Sequence, residues 1–97
     1  MNKKYISSIK ELQDFLKDFL KDYDIEVFLF GSRATGKFTD TSDIDIAFLS
    51  NDDISYVLSM LREIIDNSNL IQKVDLIDLK NAAMLKDIVK NEGVRWI

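Results

Sequence analysis

Two aspartates separated by one apolar residue form the pair with the clearest capacity for chemistry in this sequence. Asp43 and Asp45 lie in segment 43–49, where side chains alternate in character as in a strand. Side chains at positions i and i+2 of a strand project from the same face, with their roots roughly 7 Å apart. Two like charges at that spacing repel unless a cation lies between them, and Mg²⁺ prefers oxygen ligands. The pair therefore indicates either a metal site or an exposed strand face that happens to be acidic.

A Gly-Ser-Arg sequence directly after the apolar segment Glu26 to Phe30 is the second chemical feature. Gly31 lets the backbone turn sharply and approach a ligand closely. Ser32 offers a hydroxyl and an N–H to an anion-binding turn, and Arg33 carries a guanidinium fork suited to phosphate oxygens. A plain turn is the commoner meaning of a Gly-Ser pair that stands alone.

Asp75 adds a third carboxylate, near the start of a predicted strand over 73–79. If that strand runs parallel beside segment 43–49, Asp75 lies level with Asp43 and Asp45. A phosphate-binding turn next to three carboxylates would suit nucleotidyl transfer. Two metal ions held there could neutralise a triphosphate, activate an attacking hydroxyl and stabilise the departing pyrophosphate.

Composition excludes several other chemistries and locations. The 97 residues contain no histidine and no cysteine, which excludes zinc hydrolases, Ser-His-Asp hydrolases, His-dependent ribonucleases and disulfide frameworks within this chain. A net charge of −4 argues against direct binding of nucleic acid. No apolar run approaches the ~20 residues that span a bilayer, so we expect no membrane association and a cytoplasmic location. We expect one domain over residues 1–97.

The elements that must position these residues are readable from periodicity and turn signals. Ser8 and Glu11 form a capping-box pattern ahead of a helix to about residue 22. We further predict a strand over Glu26 to Phe30, a polar loop over 31–42 and a strand over 43–49. A helix should begin at 50–53 and end at 67–69, and a strand should follow over 73–79. The last predictions are a helix over 82–91 that Gly93 stops and a tail over 94–97 that forms a last short strand or a docked end.

This order, αβ-loop-βαβα, predicts an α/β (α+β) fold in which helices pack on a small mixed β-sheet. The helix between the second and third strands makes a right-handed crossover, so those two strands should be parallel neighbours. The first two strands are joined by a loop of about a dozen residues, and we expect them to be antiparallel.

The combined motifs resemble the signature of the minimal nucleotidyltransferases of the polymerase-beta-like superfamily, on the segments Gly31-Ser32-Arg33-Ala34-Thr35-Gly36 and Ser42-Asp43-Ile44-Asp45-Ile46-Ala47. The resemblance covers nearly the whole chain and implies the polymerase-beta-like core. It implies that Asp43, Asp45 and Asp75 are catalytic and bind metal, and that Gly31 and Ser32, with Arg33, bind the nucleotide. Thr35 departs from the pattern, because many members carry a second arginine there, which would weaken the hold on phosphate.

Members this short are similar to the antitoxin half of a toxin–antitoxin module. The resemblance implies a hetero-oligomer with a HEPN-domain ribonuclease toxin, transfer of AMP from ATP to a tyrosine of that toxin, and Mg²⁺ as cofactor, with Mn²⁺ equally acceptable to hard oxygen ligands. Two other functions stay open. One is an antitoxin that neutralises its partner by binding alone, and the other is nucleotidyl transfer to a small hydroxyl compound.

Overall fold

The computed structural model describes residues 6–97, in which four strands and four helices follow one another along the chain. Their bounds are α1 Ile9–Phe19, β1 Glu26–Phe30, α2 Ser32–Thr35, β2 Ile44–Leu49, α3 Ser55–Asp66, β3 Val74–Asp78, α4 Lys86–Glu92 and β4 Val94–Arg95, with a 3-10 turn over Ala83–Leu85. Within these residues no helix is both long enough and apolar enough to cross a membrane.

The strands form one mixed sheet in the order β3-β2-β1-β4. Strand β1 pairs antiparallel with both β2 and β4, whereas β2 and β3 are parallel neighbours joined through α3. The predicted antiparallel and parallel pairings are therefore both confirmed. The predicted tail strand also forms, and Trp96 beyond it donates its backbone N–H to the Val27 carbonyl at 2.8 Å and is buried.

The two faces of the sheet are covered to different extents. Ile44, Ile46 and Phe48 of β2 lie in the main core with the apolar sides of α1 and α3. On the opposite face, Ala47 lies in a smaller apolar cluster with Val89 of α4. Alternation places Asp45 on this second face, beyond the cluster, because residues two apart on a strand share a face.

Three predicted local structures are wrong in detail. In the helix predicted over 82–91, Ala83–Leu85 form a 3-10 turn and α4 begins only at Lys86. The loop predicted over 31–42 contains α2, because the N–H groups of Ala34 and Thr35 donate to the Gly31 carbonyl at 3.0 and 3.2 Å and close one helical turn. Helix α1 ends at Phe19 rather than about residue 22.

Gly93 ends α4 for a reason other than the left-handed conformation expected of a helix-ending glycine. Its φ is −78° and its ψ is 160°, an extended conformation open to any residue. A Cβ at this position would overlap the Val89 carbonyl oxygen and lie 3.1 Å from the Leu29 carbonyl oxygen. Glycine is favoured because a side chain would overlap the last turn of α4 itself and would also crowd the backbone of β1.

The N-terminus of α1 has the predicted serine cap. The Ser8 hydroxyl accepts the Glu11 N–H at 3.2 Å, but the Glu11 carboxylate accepts from the Ser7 N–H and hydroxyl, at 2.9 and 2.8 Å, rather than completing the predicted box on Ser8. These hydrogen bonds lower the pKa of Glu11, and the bond from the Ser7 backbone N–H has the largest effect.

Replacing this cap should destabilise the protein. We expect Ser8→Ala to lower the free energy of unfolding by about 1 kcal/mol, since the Glu11 N–H loses its partner. Ser59→Ala is the matched control, because Ser59 is exposed inside α3, where alanine is the better helix former. Urea unfolding followed by the fluorescence of Trp96, the sole tryptophan, measures both. Equal stabilities of the two variants would contradict the capping role.

Candidate active site

Asp45 and Asp75 are brought together by the parallel pairing of β2 and β3. The two residues are directly paired across the adjacent strands, as the sequence analysis anticipated. On its other side Asp45 is paired with Phe30, the last residue of β1. The candidate site therefore lies where β1 ends and where β2 and β3 begin.

The turn after β1 lies directly against Asp45 at Gly31. Its backbone has φ 76° and ψ −154°, a conformation essentially restricted to glycine. A Cβ at this position would lie 2.5 Å from Oδ2 of Asp45 and 3.4 Å from its Cγ. The Ser32 hydroxyl, next along the turn, has no hydrogen-bond partner within residues 6–97. The turn thus presents backbone and an available hydroxyl beside a carboxylate.

The carboxylates repel one another. Burial raises the pKa of Asp45, and the negative charges of Asp75 and Asp43 and a hydrogen bond to Asp75 raise it further. Lys73 partly offsets this effect, and its Nζ lies 3.8 Å from Oδ1 of Asp75. Asp43 acts on Asp45 through its charge, whereas Asp75 acts through both charge and a hydrogen bond. Such a cluster stabilises a bound cation, because the cation relieves the repulsion.

The donor chemistry fits a hard divalent cation, although the structure does not gather a full ligand set. Carboxylate oxygens are the ligands that Mg²⁺ and Mn²⁺ prefer. In the described part of the chain, no three acidic side chains converge closely enough to hold a metal ion by themselves. Asp43 is exposed, at the position directly before β2. Water and phosphate oxygens commonly complete the coordination of Mg²⁺.

Arg33, expected to bind the nucleotide, contacts the backbone of the loop that follows α2. Its Nε donates to the Ser42 carbonyl, and its Nη2 donates to the carbonyls of Thr39 and Asp40, all at 3.2 Å. The guanidinium also lies over the ring of Phe38, 4.8 Å from the centroid. Nε and Nη2 of Arg33 therefore donate to the chain's own backbone.

Two neighbours of the site were missed by sequence reasoning. Lys73 precedes Asp75 by two positions, so the i, i+2 rule that grouped Asp43 with Asp45 could also have placed Lys73 beside Asp75. Gln72 donates from Nε2 to the Asp40 carbonyl at 2.9 Å, and no local pattern signals that long-range contact.

Alanine substitutions at Gly31 and Gly36 separate the cost of close packing from the cost of the backbone conformation. We expect Gly31→Ala to lower the free energy of unfolding by about 3 kcal/mol, since backbone strain adds to overlap with Asp45. Gly36→Ala should cost only about 1–2 kcal/mol, the left-handed backbone penalty. Gly36 also has a positive φ, 83°, but a Cβ there meets nothing within 4 Å. Urea unfolding of both variants measures the difference, and equal losses would contradict close packing of the turn on Asp45.

Part of this chain is similar in sequence to a known protein. A protein of Methanocaldococcus jannaschii, provisionally named a protein adenylyltransferase, is 34% identical over 58 residues, which are 60% of this chain and 58% of that protein. The chain therefore spans less than two thirds of the length of that relative.

Three solved structures share the fold. One is the crystal structure of a toxin–antitoxin with AMP-PNP, with TM-score 0.61 and 29% identity, covering 88% of this chain and 72% of the other. A mutant of the toxin–antitoxin MntA-HpeT has TM-score 0.59 and 26% identity, covering 88% and 71%. A Sulfolobus solfataricus protein, provisionally named a nucleotidyltransferase, has TM-score 0.52 and 28% identity, covering 87% and 74%.

The family assignment rests on most of the chain. Residues 12–95 match the model of the family described as polymerase beta, nucleotidyltransferase. This match includes the Gly31 turn, the Asp43-Asp45 pair and Asp75, and it confirms the fold that the motifs predicted. The chain belongs to the polymerase beta nucleotidyltransferase family.

Proposed function

We propose that this chain is an antitoxin that transfers AMP from ATP to a tyrosine hydroxyl of a HEPN-type ribonuclease toxin. One observation carries the proposal: the Gly31 turn is packed against Asp45, which is paired with Asp75 on the adjacent strand. A turn able to approach phosphate thereby adjoins carboxylates able to bind a cation.

The relatives support the acceptor class. The Methanocaldococcus jannaschii protein is named for transfer of an adenylyl group to protein, and two of the similar solved structures are toxin–antitoxins, one of them with AMP-PNP. AMP-PNP is an analogue of ATP. The HEPN class of the toxin and the tyrosine acceptor follow from the resemblance of the motifs to the minimal nucleotidyltransferases.

The roles divide between the turn and the carboxylates. Gly31 and Ser32 would bind the triphosphate, since glycine permits close approach of the backbone and the serine hydroxyl is available. Asp43, Asp45 and Asp75 would hold Mg²⁺ or Mn²⁺. Divalent cations bound there would neutralise the triphosphate and lower the pKa of the attacking hydroxyl.

The reaction forms one bond and breaks one. The tyrosine oxygen bonds to the α-phosphorus of ATP, and the bond from that phosphorus to the oxygen that bridges to the β-phosphate breaks. Pyrophosphate leaves, and the hydroxyl proton passes to a carboxylate of the cluster. The protein contributes mainly by positioning, which is the chief requirement of phosphoryl-group chemistry.

Removal of a carboxylate from the site should abolish transfer. The chain is incubated with α-phosphate-labelled ATP, Mg²⁺ and the protein encoded by the neighbouring reading frame. We expect Asp45→Asn and Asp75→Asn each to reduce labelling of that protein more than about 100-fold, since loss of groups that only support metal ligands already costs 10- to 100-fold. Asp78→Asn is the matched control, because Asp78 lies on the same strand and its contact, acceptance of the Lys80 N–H at 3.0 Å, suits asparagine equally.

The other outcomes identify the competing functions. Full silencing of the toxin by Asp45→Asn, with no labelling by any form of the chain, would show an antitoxin that acts by binding alone. Label found only on added small hydroxyl compounds would show a different acceptor.

Removal of the cation should stop the same reaction. We expect EDTA to abolish labelling and added Mg²⁺ or Mn²⁺ to restore it, because the triphosphate charge and the Asp45–Asp75 repulsion are then uncompensated. Labelling that persists in EDTA would contradict the metal site.

A further inference from the structure

We propose that Arg33 is a positioning residue: it holds loop 36–42 so that Asp43 is presented to the candidate metal site, and it does not bind the triphosphate. This inference rests on the proposed function, because it assigns Asp43 a role in binding the cation. It concerns a single side chain whose chemistry alone would suit either role.

The contacts of Arg33 gather the last part of the loop. Its guanidinium donates to the carbonyls of Thr39, Asp40 and Ser42, the residues that lead into Asp43. Phe38 covers one face of the guanidinium at 4.8 Å, an arrangement that a planar delocalised cation favours. Lysine would supply the charge but lacks the planar fork that reaches several carbonyls at once.

The loop is a closed turn that is attached from both sides. The Ser42 N–H donates to the Thr39 carbonyl at 3.1 Å, and the Thr39 N–H donates to the Ser42 hydroxyl at 2.9 Å. Gln72, ahead of β3, donates to the Asp40 carbonyl. Within residues 6–97 the Ser42 carbonyl has Arg33 as its one side-chain partner. Loss of Arg33 therefore leaves the Ser42 carbonyl, which directly precedes Asp43, without its side-chain donor, while Ser42 keeps its bonds to Thr39.

Asp43 has no contact of its own to hold it. Its carboxylate makes no hydrogen bond or ion pair with any residue in the described range 6–97. Its direction depends on the backbone on either side. On one side, Ile44 is held by donation of its N–H to the Lys73 carbonyl at 2.8 Å, and on the other, Ser42 is held by Arg33.

The two roles of Arg33 predict opposite changes in the affinity for a divalent cation when Arg33 is removed. Arg33 is a cation close to an acidic site, so its removal should strengthen binding of a divalent cation if charge is all that matters. If Arg33 positions Asp43, its removal should weaken that binding. If Arg33 binds phosphate, cation binding without nucleotide should not weaken, and the affinity for ATP should fall.

The test is titration of the whole chain with Mn²⁺, followed by electron paramagnetic resonance without nucleotide or partner. We expect Arg33→Met and Arg33→Lys each to weaken Mn²⁺ binding about 10- to 100-fold, the usual cost of losing a group that orients metal ligands. Lys37→Met is the matched control, because it removes a charge from the same loop and leaves its backbone hydrogen bond to the Ser32 carbonyl intact. We expect the control to bind Mn²⁺ at least as tightly as the wild type.

A second measurement follows the loop directly. Hydrogen exchange of the Ser42 amide, observed by NMR, should accelerate in Arg33→Lys and not in Lys37→Met, with circular dichroism confirming that both variants fold. In the labelling reaction, kcat should fall in Arg33→Lys, while KM for ATP stays within about twofold of the wild type.

The contrary outcomes are distinct. Wild-type Mn²⁺ affinity and Ser42 exchange in Arg33→Lys, together with a raised KM for ATP, would overturn this inference and make Arg33 a phosphate ligand. Failure of the proposed function is recognised from a different comparison. In that case the wild type binds Mn²⁺ no more tightly than the Asp45→Asn variant does.

Discussion

Repulsion between two paired carboxylates is the constraint on which the site depends. Asp45 and Asp75 are directly paired across β2 and β3, although their negative charges repel each other. Burial is the largest cause of the raised pKa of Asp45, and the charge of Asp75 raises it further. The register persists because a slip by one residue would turn Ile44 and Ile46 out of the main core. Apolar burial on one face of the sheet therefore maintains an unfavourable charge arrangement on the other face. A cation bound there would relieve the repulsion.

The same sheet determines where the turn after β1 lies. Strand β1 ends with Phe30 paired with Asp45, so the turn that follows must lie at that carboxylate. The turn comes so close that Gly31 has no room for a side chain. Only glycine adopts this backbone conformation without strain, and the pairing of β1 with β2 holds the turn in place. The turn at Gly31 and the carboxylate of Asp45 are thus positioned by one strand pairing.

The division of the helices leaves this site accessible. Helices α1 and α3 cover the face that carries Ile46, whereas α4 covers only the apolar part of the opposite face, around Ala47. Val89 anchors α4 in that cluster, and Gly93 at the end of α4 lies close to the Leu29 carbonyl of β1. The end of the sheet that carries Asp45 stays uncovered, and the contacts of Arg33 hold loop 36–42 beside it. Stability and accessibility are therefore assigned to different faces of a single small sheet.

Residue type and spacing alone were sufficient for most of the fold and for the acidic cluster. The alternation over 43–49 determined which face Asp45 occupies, and a helix between two strands required parallel neighbours, which brought Asp75 beside it. Two features were decided only by the folded chain: the close approach of Gly93 to the Leu29 carbonyl oxygen and the direction of Arg33. A guanidinium suits a phosphate and a backbone carbonyl equally, and a glycine can serve a turn or a close contact. Local sequence specifies what such groups are able to bind, whereas the folded chain decides which partner lies within reach.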